Sequence, residues 1–413
     1  MADNKEFVDV MSDTTGLKLL EEMQKNNALM AAIAAESAKT LASDWTGLER
    51  LANTGLFDTL YKIGDQFIDK WTDVAASNKE YDYPYQLNCM RDFELEDGTI
   101  LSHRPLLQAH YAHPFGVQFS HQRAFLACPD GLSAGTYYFT IESKWGDKGY
   151  VLAGDVVAFT LTQNVPAGGR LSGCYGAPDN AKSTWKIYSH SADGKTVIET
   201  VTPVFTAPEG AVSLGTQKSS ARNGNLNSTQ EMAYGWNRWK MSAIRQYLNS
   251  DAGVGAWWAA QDEWDIAPDE LKTKAGFLSG VPQEIINAMK PVKVVTYTNT
   301  VQDGGEADVT YDKVFLLSLE EIYVSPQIKG EGEYHEYWKQ KSGSTAPLKQ
   351  YGTYPKMITY AAENHVSPQH VRLRSATRDG ANYTWCVYAS GNVSHGSGAR
   401  WANRFSPDCV VIG

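Results

Sequence analysis

The sequence predicts an α+β protein in three parts: an N-terminal helical segment over residues 1–80, a middle antiparallel β-sandwich over 81–214, and a C-terminal domain over 215–413. Three patterns support this division. Apolar residues recur at helical spacing near the N-terminus, short β-branched and aromatic runs follow, and the last part combines a helix with few strands and long polar loops. A chain of 413 residues that is 42% hydrophobic can bury two or three cores.

The N-terminal segment, about residues 14–71, carries two apolar stripes typical of helices. The first stripe consists of Leu17, Leu20, Met23, Leu29, Met30 and Ile33, and the second of Leu48, Leu51, Leu56, Leu60, Ile63 and Phe67. An isolated helix pair of this kind is marginally stable in water, so its apolar face must be covered. The cover is either the rest of the chain or a second copy, and we favour self-association.

The middle part changes to short strands that begin at glycines. The runs 135–141, 154–162, 185–189 and 196–201 are rich in β-branched and aromatic residues, and Asp193-Gly194 is a tight-turn signal before the last of them. Several such strands separated by turns favour a sandwich. The polar stretches 207–211 and 218–225 mark the boundary to the C-terminal domain.

The C-terminal domain begins with a predicted helix over residues 239–249. We expect a second helix over 282–289, a strand over 292–299, a Gly304-Gly305 turn and a strand around Phe315. Residues 329–349 are polar and are expected to form an inserted loop.

Charge and hydropathy exclude two functional classes. The net charge of −10 argues against nucleic-acid binding, because phosphate contacts need clustered Lys and Arg. No apolar run approaches the ~18 residues of a membrane span, and the N-terminal residues lack a signal-peptide pattern. We therefore expect synthesis in a cytosol, with no nucleic-acid partner and no membrane span.

Candidate metal and cofactor sites are weak in the sequence, so we predict no metal and no cofactor. His110 and His113 are spaced i, i+3, but the neighbouring prolines argue against a helix that would align them. Asp262, Asp265 and Asp269 lie near three tryptophans, which leaves open a calcium site or a solvated acidic loop. The five cysteines favour buried free thiols, and a Cys386–Cys409 disulfide stays an alternative.

The run from Ser375 to Asn403 has the most unusual composition of the chain. It is built from Ser, Gly, Asn, Ala, Thr, Tyr, Trp, Arg, Asp and His, and it contains no Lys, Glu, Gln, Met, Leu, Ile or Phe. Tyr and Trp offer large rigid contact areas, while Ser, Gly and Asn offer adaptable hydrogen bonds, as in an antibody paratope. Composition alone leaves a second interpretation open, a loop-rich end of a β domain.

Recognisable motifs flank this run. They read RSATR at 374–378, VYASG at 387–391 and RFSPDCVVIG at 404–413. This pattern resembles the variable region of the target proteins of diversity-generating retroelements. In that family a reverse transcriptase mutates template adenines, usually in Asn codons, which cannot yield Lys, Glu, Gln, Met or Trp. Trp385 and Trp401 depart from that expectation, and mutated Arg codons could explain them.

Two upstream motifs carry a second resemblance. The segments GWNRWKMSAIRQYLN at 235–249 and DKVFLLS at 312–318 are similar to the bacterial and phage domain related to the formylglycine-generating-enzyme type of C-type lectin fold. Together with the C-terminal motifs they span about residues 215–413. The resemblance implies that the last domain is C-type lectin-like. Proteins that share a fold often differ in activity, so we do not expect this chain to be an enzyme.

Taken together, the resemblances imply a hypervariable ligand- or receptor-binding protein encoded by a phage or prophage. We expect it to be made in the bacterial cytoplasm, displayed on the virion as a homotrimer and joined to other virion proteins through its N-terminal region. Its expected ligand is a protein or glycan receptor on a cell surface. Two alternatives remain: a structural decoration protein of the capsid or tail, and a formylglycine-generating-type enzyme.

The expected division of labour separates frame from ligand-facing residues. The frame comprises Arg374, Val387, Gly391, Arg404, Phe405, Pro407 and Cys409. The ligand-facing set is expected among Thr377, Arg378, Asp379, Asn382, Tyr383, Trp385, Tyr388, Ser390, Asn392, Ser394, His395, Ser397, Arg400, Trp401 and Asn403.

Overall fold

The structure is a computed structural model, and it confirms a mixed α+β protein. It describes residues 18, 21–26, 44–142, 154–172, 183–188, 205–218, 231–232, 234–406 and 408–413. Most of the first apolar stripe, the predicted strand 196–201 and nearly all of the boundary stretch 218–225 lie outside these residues.

Five helices have defined bounds within the described chain. They are α1 (Trp45–Thr54), α2 (Phe57–Leu60), α3 (Ala243–Leu248), α4 (Gln283–Ala288) and α5 (Glu336–Ser342). Four 3₁₀ turns accompany them at Trp239–Met241, Asp269–Lys272, Phe277–Gly280 and Pro355–Met357. Residues 21–26 are also helical.

The strands of the first half are β1 (Gln66–Phe67), β2 (Lys70–Asp73), β3 (Lys79–Asp82), β4 (Tyr85–Glu94), β5 (Ile100–Ala109), β6 (Ala124–Cys128), β7 (Gly135–Ile141), β8 (Val156–Leu161), β9 (Gly169–Ser172), β10 (Ser183–Tyr188) and β11 (Val212–Gln217). Those of the second half are β12 (Val292–Tyr297), β13 (Ala307–Asp312), β14 (Thr359–Tyr360), β15 (Pro368–Gln369), β16 (Val371–Ala376), β17 (Tyr383–Val387), β18 (Val393–Gly398) and β19 (Asp408–Val411).

Helix α1 begins and ends where its sequence dictates. The Asp44 side chain accepts a hydrogen bond from the Gly47 backbone at 2.7 Å, which satisfies one of the free amide groups of the first turn. Gly55 ends the helix in the left-handed region at φ 71°. Leu48 and Leu51, three residues apart, are buried against the rest of the chain. The part of the second stripe on α1 is therefore covered within the chain.

The prediction that helix continues to Trp71 is wrong beyond Leu60. Residues 66–67 and 70–73 form strands β1 and β2 instead. Trp71 packs its ring parallel to Phe277 at 6.1 Å and donates its indole N–H to the Phe277 carbonyl at 3.0 Å. These long-range contacts outweigh a helical spacing that was set by only a few apolar residues.

The first large sheet joins strands from residues 66–109 to the C-terminal strand. Its strand order is β1-β4-β5-β19, and the C-terminal strand β19 runs antiparallel to β5 with Val411 opposite Leu106. Strands β4 and β5 lie in the range predicted for the middle domain, yet their buried side chains join the core of the C-terminal half. This larger core extends from Trp45 to Ile412.

A second, smaller core lies under the middle strands. The sheet order there is β10-β8-β7-β11, and β6 pairs separately with β9. Phe125, Phe139 and Phe159 form the centre of this core, with ring centroids 5.7–6.3 Å apart. Strand β11 runs parallel to β7, so the expectation of a purely antiparallel middle sheet is wrong at that edge. A parallel neighbour requires a crossover connection between the two strands.

The C-terminal half confirms helices α3 and α4 and strand β12, but it corrects two other predictions. The expected strand around Phe315 is absent, since β13 ends at Asp312 and residues 314–317 are buried in irregular backbone. The polar stretch 329–349, expected to be a loop, contains helix α5. That helix is anchored by Trp338, which is buried and donates its indole N–H to Gln108 at 3.0 Å.

No helix in the described parts of the chain combines the length and apolarity that crossing a bilayer requires.

Candidate ligand-binding surface

The candidate site is built on the three-stranded antiparallel sheet β16-β17-β18. In β17, Tyr383 and Trp385 point to one face, and Thr384 and Cys386 to the other, because side chains alternate along a strand. Strand β18 is irregular opposite β17, with the register shifting between Thr384 and Cys386. The unusual run from Ser375 to Asn403 therefore supplies two different surfaces.

The upstream motif at 235–249 holds the loop that joins β16 to β17. Asn237 is fully buried and donates its side-chain amide to the backbone carbonyls of Gly380 and Tyr383, both at 2.7 Å. The side-chain amide of Asn299 in turn donates to the side-chain oxygen Oδ1 of Asn237 at 3.0 Å. Irregular backbone needs such partners when no sheet neighbour is present. This fixed residue thus sets the path of the loop before Tyr383.

A buried ion pair anchors β16 from the other side. Both terminal nitrogens of Arg374 donate to the Glu321 carboxylate, and one also donates to the Leu316 carbonyl at 2.6 Å. Ser375 donates its hydroxyl to Glu331. Burial raises the pKa of Glu331, while the charge of Arg374 opposes that rise. Arg374 therefore acts as a frame residue that is neutralised and hydrogen-bonded in the core.

The predicted ligand-facing residues differ widely in exposure. Those open to solvent are Asp379, Ser390 and Trp401, and those partly buried are Arg378, Tyr383, Tyr388, Asn392, Ser394, His395, Arg400 and Asn403. Thr377, Asn382, Trp385 and Ser397 are buried.

Thr377, Asn382 and Trp385 are fully buried, so for these three residues the predicted ligand-facing role is corrected. Ser397 is buried but belongs to the lining of the cleft described below, so its role stays a prediction. Trp385 is fully buried, with the rings of Tyr351 and His395 packed over it at 5.3 and 5.1 Å. The Thr377 hydroxyl donates to backbone within its own loop, at 3.0–3.1 Å. Small polar and aromatic residues look alike on the two faces of a strand, so composition could not separate them.

One surface of the sheet is an aromatic patch formed by Tyr351, Tyr383, Trp385 and His395. His395 lies 5.4 Å from the Tyr351 ring and 5.9 Å from the Tyr383 ring. Tyr351 lies outside the unusual run, is 57% exposed and adopts a left-handed backbone with φ 60°.

The opposite surface is concave, and we call it the Trp401 cleft. It encloses about 410 Å³, within the range of ligand pockets. Its lining residues are Gln369, His370, Tyr388, Gly396, Ser397, Trp401, Ala402, Asn403 and Arg404. Trp401 leaves 45% of its surface exposed there. The cleft thus combines an open aromatic ring with several hydrogen-bonding groups.

Gly396 shapes the Trp401 cleft through its missing side chain. A Cβ atom at this position would lie 2.7 Å from the Tyr388 hydroxyl, closer than real contacts allow. Tyr388 is hydrogen-bonded with Ser397 and packs edge-on against the His370 ring at 4.7 Å. Burial lowers the pKa of His370 and raises that of Tyr388. Both groups are therefore neutral near pH 7, which suits hydrogen bonding.

A buried guanidinium lies beneath the Trp401 cleft. Arg372 is fully buried and donates to the Thr384 hydroxyl, to the Gly398 carbonyl at 3.1 Å and to the Trp401 carbonyl at 2.9 Å. All three acceptors are neutral, and among the described side chains no carboxylate pairs with Arg372. Burial lowers the pKa of Arg372, and its charge partly offsets the raised pKa of Tyr388.

Sequence reasoning missed Arg372, His370, Gln369 and Tyr351, which lie outside the Ser375–Asn403 run. The sequence around Arg372 carries no signal of a buried charge, because the alternation Val371-Arg372-Leu373-Arg374 is that of a strand with one polar, solvent-facing side. Tyr351 carried no signal either, since long-range backbone contacts bring it to the sheet: its N–H donates to the Val393 carbonyl at 2.7 Å, beside the bridge between Thr353 and Asn392.

Other candidate sites have structural partners in the described chain. Asp262 and Asp265 each contact the buried Arg123 at 2.7 Å, and Glu231 lies 3.4 Å from it. Asp262 and Asp265, two of the acidic residues considered for calcium, thus neutralise a guanidinium. Among the described residues no group of three or more His, Cys, Asp or Glu is arranged to hold a metal ion.

The histidines near residue 110 have separate partners. His103 contacts Asp58 at 2.8 Å, and His110 contacts Gln86 at 2.6 Å. His113 is buried between the hydroxyls of Tyr83 and Tyr247, each at 3.1 Å.

Cys386, one of the two cysteines considered for a disulfide, is a buried free thiol. The side chain of Cys409 lies outside the described residues.

One protein-family model matches part of this chain. A model described as "Domain of unknown function (DUF6273)" matches residues 212–404. The match covers both upstream motifs and the sheet β16-β17-β18, so this part of the chain is similar to that domain. No curated protein and no solved structure matches the chain.

Proposed function

We propose that this chain is a ligand-binding protein whose specificity is set by the exposed residues of the sheet β16-β17-β18. The observation that carries the proposal is the Trp401 cleft, an open concavity of about 410 Å³ bordered by Tyr388, Trp401 and Asn403. These residues all come from the run whose composition is that of a paratope. An exposed aromatic ring surrounded by hydrogen-bonding groups is the usual anchor of a recognition surface.

The organisation of the domain supports the same proposal. Asn237, Arg374 and Phe405 are buried and hold the backbone of the sheet and its loops. The exposed side chains can therefore be substituted while these buried contacts persist. A surface of this kind is what a diversity-generating retroelement would require of its target. We therefore include in the proposal that the last domain is C-type lectin-like and belongs to such a target protein.

The wider biological setting follows from the resemblance. The protein is displayed on a phage virion as a homotrimer, binds a receptor on a bacterial surface and meets other virion proteins through its N-terminal region. Several copies on one particle raise the avidity of weak single sites without new contacts. A template repeat and a reverse-transcriptase gene beside this gene would support this setting.

Cell-surface binding tests the proposed function directly. Fluorescently labelled protein is added to a panel of bacterial strains and bound protein is counted by flow cytometry. We expect Trp401→Ala to lower staining of the recognised strain at least about tenfold, because anchor residues dominate binding. The matched control is Ile100→Ala, which truncates a side chain 52% exposed on β5, away from the cleft. Equal staining by the Trp401 and Ile100 variants would reject the proposed site.

A further inference from the structure

We propose that the Trp401 cleft binds the carboxylate-bearing ring of an acidic sugar, with Trp401 as the platform and the charge of Arg372 beneath it. The inference rests on the proposed function and names its ligand class. It combines three independent observations on the described residues: a buried cation that pairs with none of their carboxylates, a cleft lining without Asp or Glu, and an exposed aromatic ring flanked by short polar groups.

The charge balance at the cleft favours an anion. Arg372 donates only to neutral oxygens, and two of these, the carbonyls of Gly398 and Trp401, belong to the backbone around the cleft. A buried cation without a counter-ion is costly, and a bound anion nearby recovers part of that cost. Arg372 lies directly behind the cleft, since the Trp401 carbonyl that accepts from it at 2.9 Å belongs to a lining residue.

Among the described residues, the lining of the Trp401 cleft contains no carboxylate that would repel an acidic ligand. Its charged lining residue is Arg404, which contacts Glu363 at 2.6 Å, and no Asp or Glu lines the cleft within the described chain. Three other concavities, beside Lys293, Gln327 and Lys79, each include a carboxylate. For a chain of net charge −10 this local absence of acids is a specific feature.

The shape and donors of the cleft favour a sugar over an acidic peptide. Trp401 presents a flat apolar face, and an aromatic ring packs well against the C–H face of a pyranose while its surroundings stay wet. Ser397, Asn403 and His370 provide hydroxyl, amide and imidazole groups at the same cleft. These groups match the hydroxyl edge of a sugar ring, whereas an extended peptide would need a sheet edge or a helix groove.

The test compares an acid with its own neutral ester. The intact wild-type protein is titrated with glucuronate, galacturonate and N-acetylneuraminate, with the methyl ester of each acid, and with a tetraglutamate peptide, by calorimetry and ligand-observed NMR. We expect at least one acid to bind about tenfold or more tightly than its ester, since tenfold corresponds to about 1.4 kcal/mol, an attraction that a nearby partly screened charge supplies. Equal binding of acid and ester, or no binding of any acid, overturns the inference. Tetraglutamate binding as tight as the best acid favours a peptide ligand and also overturns it.

Variants assign the effect to residues. Trp401→Ala should lower affinity for the acid and its ester about equally, because the platform contacts both. Arg372→Met should remove the preference for the acid. If Arg372→Met does not fold, the acid-to-ester ratio of the wild type still decides the matter. A wild-type protein that stains cells through Trp401 but shows no preference for any acid keeps the proposed function and refutes this ligand class. Unchanged staining by Trp401→Ala refutes the proposed function itself.

Discussion

Two tryptophans of the same run, Trp385 and Trp401, should respond oppositely to truncation. Trp385 is fully buried under Tyr351 and His395, and its indole N–H lies 3.4 Å from the Gln327 oxygen. A buried tryptophan removes about 150–250 Å² from water, which at about 25 cal/mol/Å² corresponds to about 4–6 kcal/mol. Partial collapse of the cavity brings the expected cost of Trp385→Ala to about 3–5 kcal/mol.

Trp401 loses much less on truncation because 45% of it is already exposed. The buried area of the Trp401 side chain corresponds to at most about 2–3 kcal/mol of stability, and estimates from buried area are upper bounds. We therefore expect Trp401→Ala to lower the free energy of unfolding by about 1 kcal/mol or less. Its backbone bonds to Gly398 and Arg372 do not involve the ring and persist in the Ala variant. Urea unfolding of both variants, followed by circular dichroism, measures the difference in the free energy of unfolding. Equal destabilisation by the two changes would refute the assignment of one ring to the core and the other to the cleft.

Three further predictions concern the frame, the pH response and the assembly. Glu321→Gln should cost about 3–5 kcal/mol in urea unfolding because it removes the carboxylate that is hydrogen-bonded to the buried Arg374; a cost under about 1 kcal/mol contradicts the frame role. Burial lowers the pKa of His113 and of His335 well below 6.5 in the folded protein, so the unfolded chain takes up protons first as pH falls. Stability should therefore be full above pH 6.5 and fall below it by about 1.4 kcal/mol per pH unit per histidine. Neither ring nitrogen of His335 has a hydrogen-bond partner among the described residues. His335→Leu should therefore make stability less dependent on pH without destabilising the protein at pH 7.5. An unchanged pH dependence would contradict the role of His335. Light scattering should show a trimer for the intact chain and a smaller species for Leu17→Glu, whereas a monomeric wild type rules out the predicted self-association.

Much of the local structure could be predicted because the deciding signals are local. Strands β7 and β8 are dense in β-branched and aromatic residues, and α3 begins at Ser242, whose hydroxyl accepts from the Arg245 backbone. Phe405 in the closing motif is fully buried, as its frame role requires.

The features that could not be predicted depend on long-range partners. The pairing of β19 with β5 joins residues about 300 positions apart, and nothing in either strand specifies the other. Helix α5 is polar except for Trp338 and is stabilised by packing on β4, so its own sequence resembles a loop.

The candidate site shows the same limit at the level of single residues. Trp385 and Trp401 share one compositional environment, and only the alternation of β17 and the cover by Tyr351 make one of them core. The residue types predict a recognition surface, but which of these side chains are exposed and which are buried follows only from the three-dimensional fold.

Sequencing many copies of this gene from one population tests the central claim most directly. If the outward residues are the diversified binding surface, substitutions should concentrate at Tyr383, Tyr388 and Trp401 and other exposed positions between 375 and 403. The buried positions Trp385 and Asn382 should stay constant, because their loss would destabilise the frame. Substitutions spread evenly along the chain, or as frequent at Trp385 as at Trp401, would contradict the account.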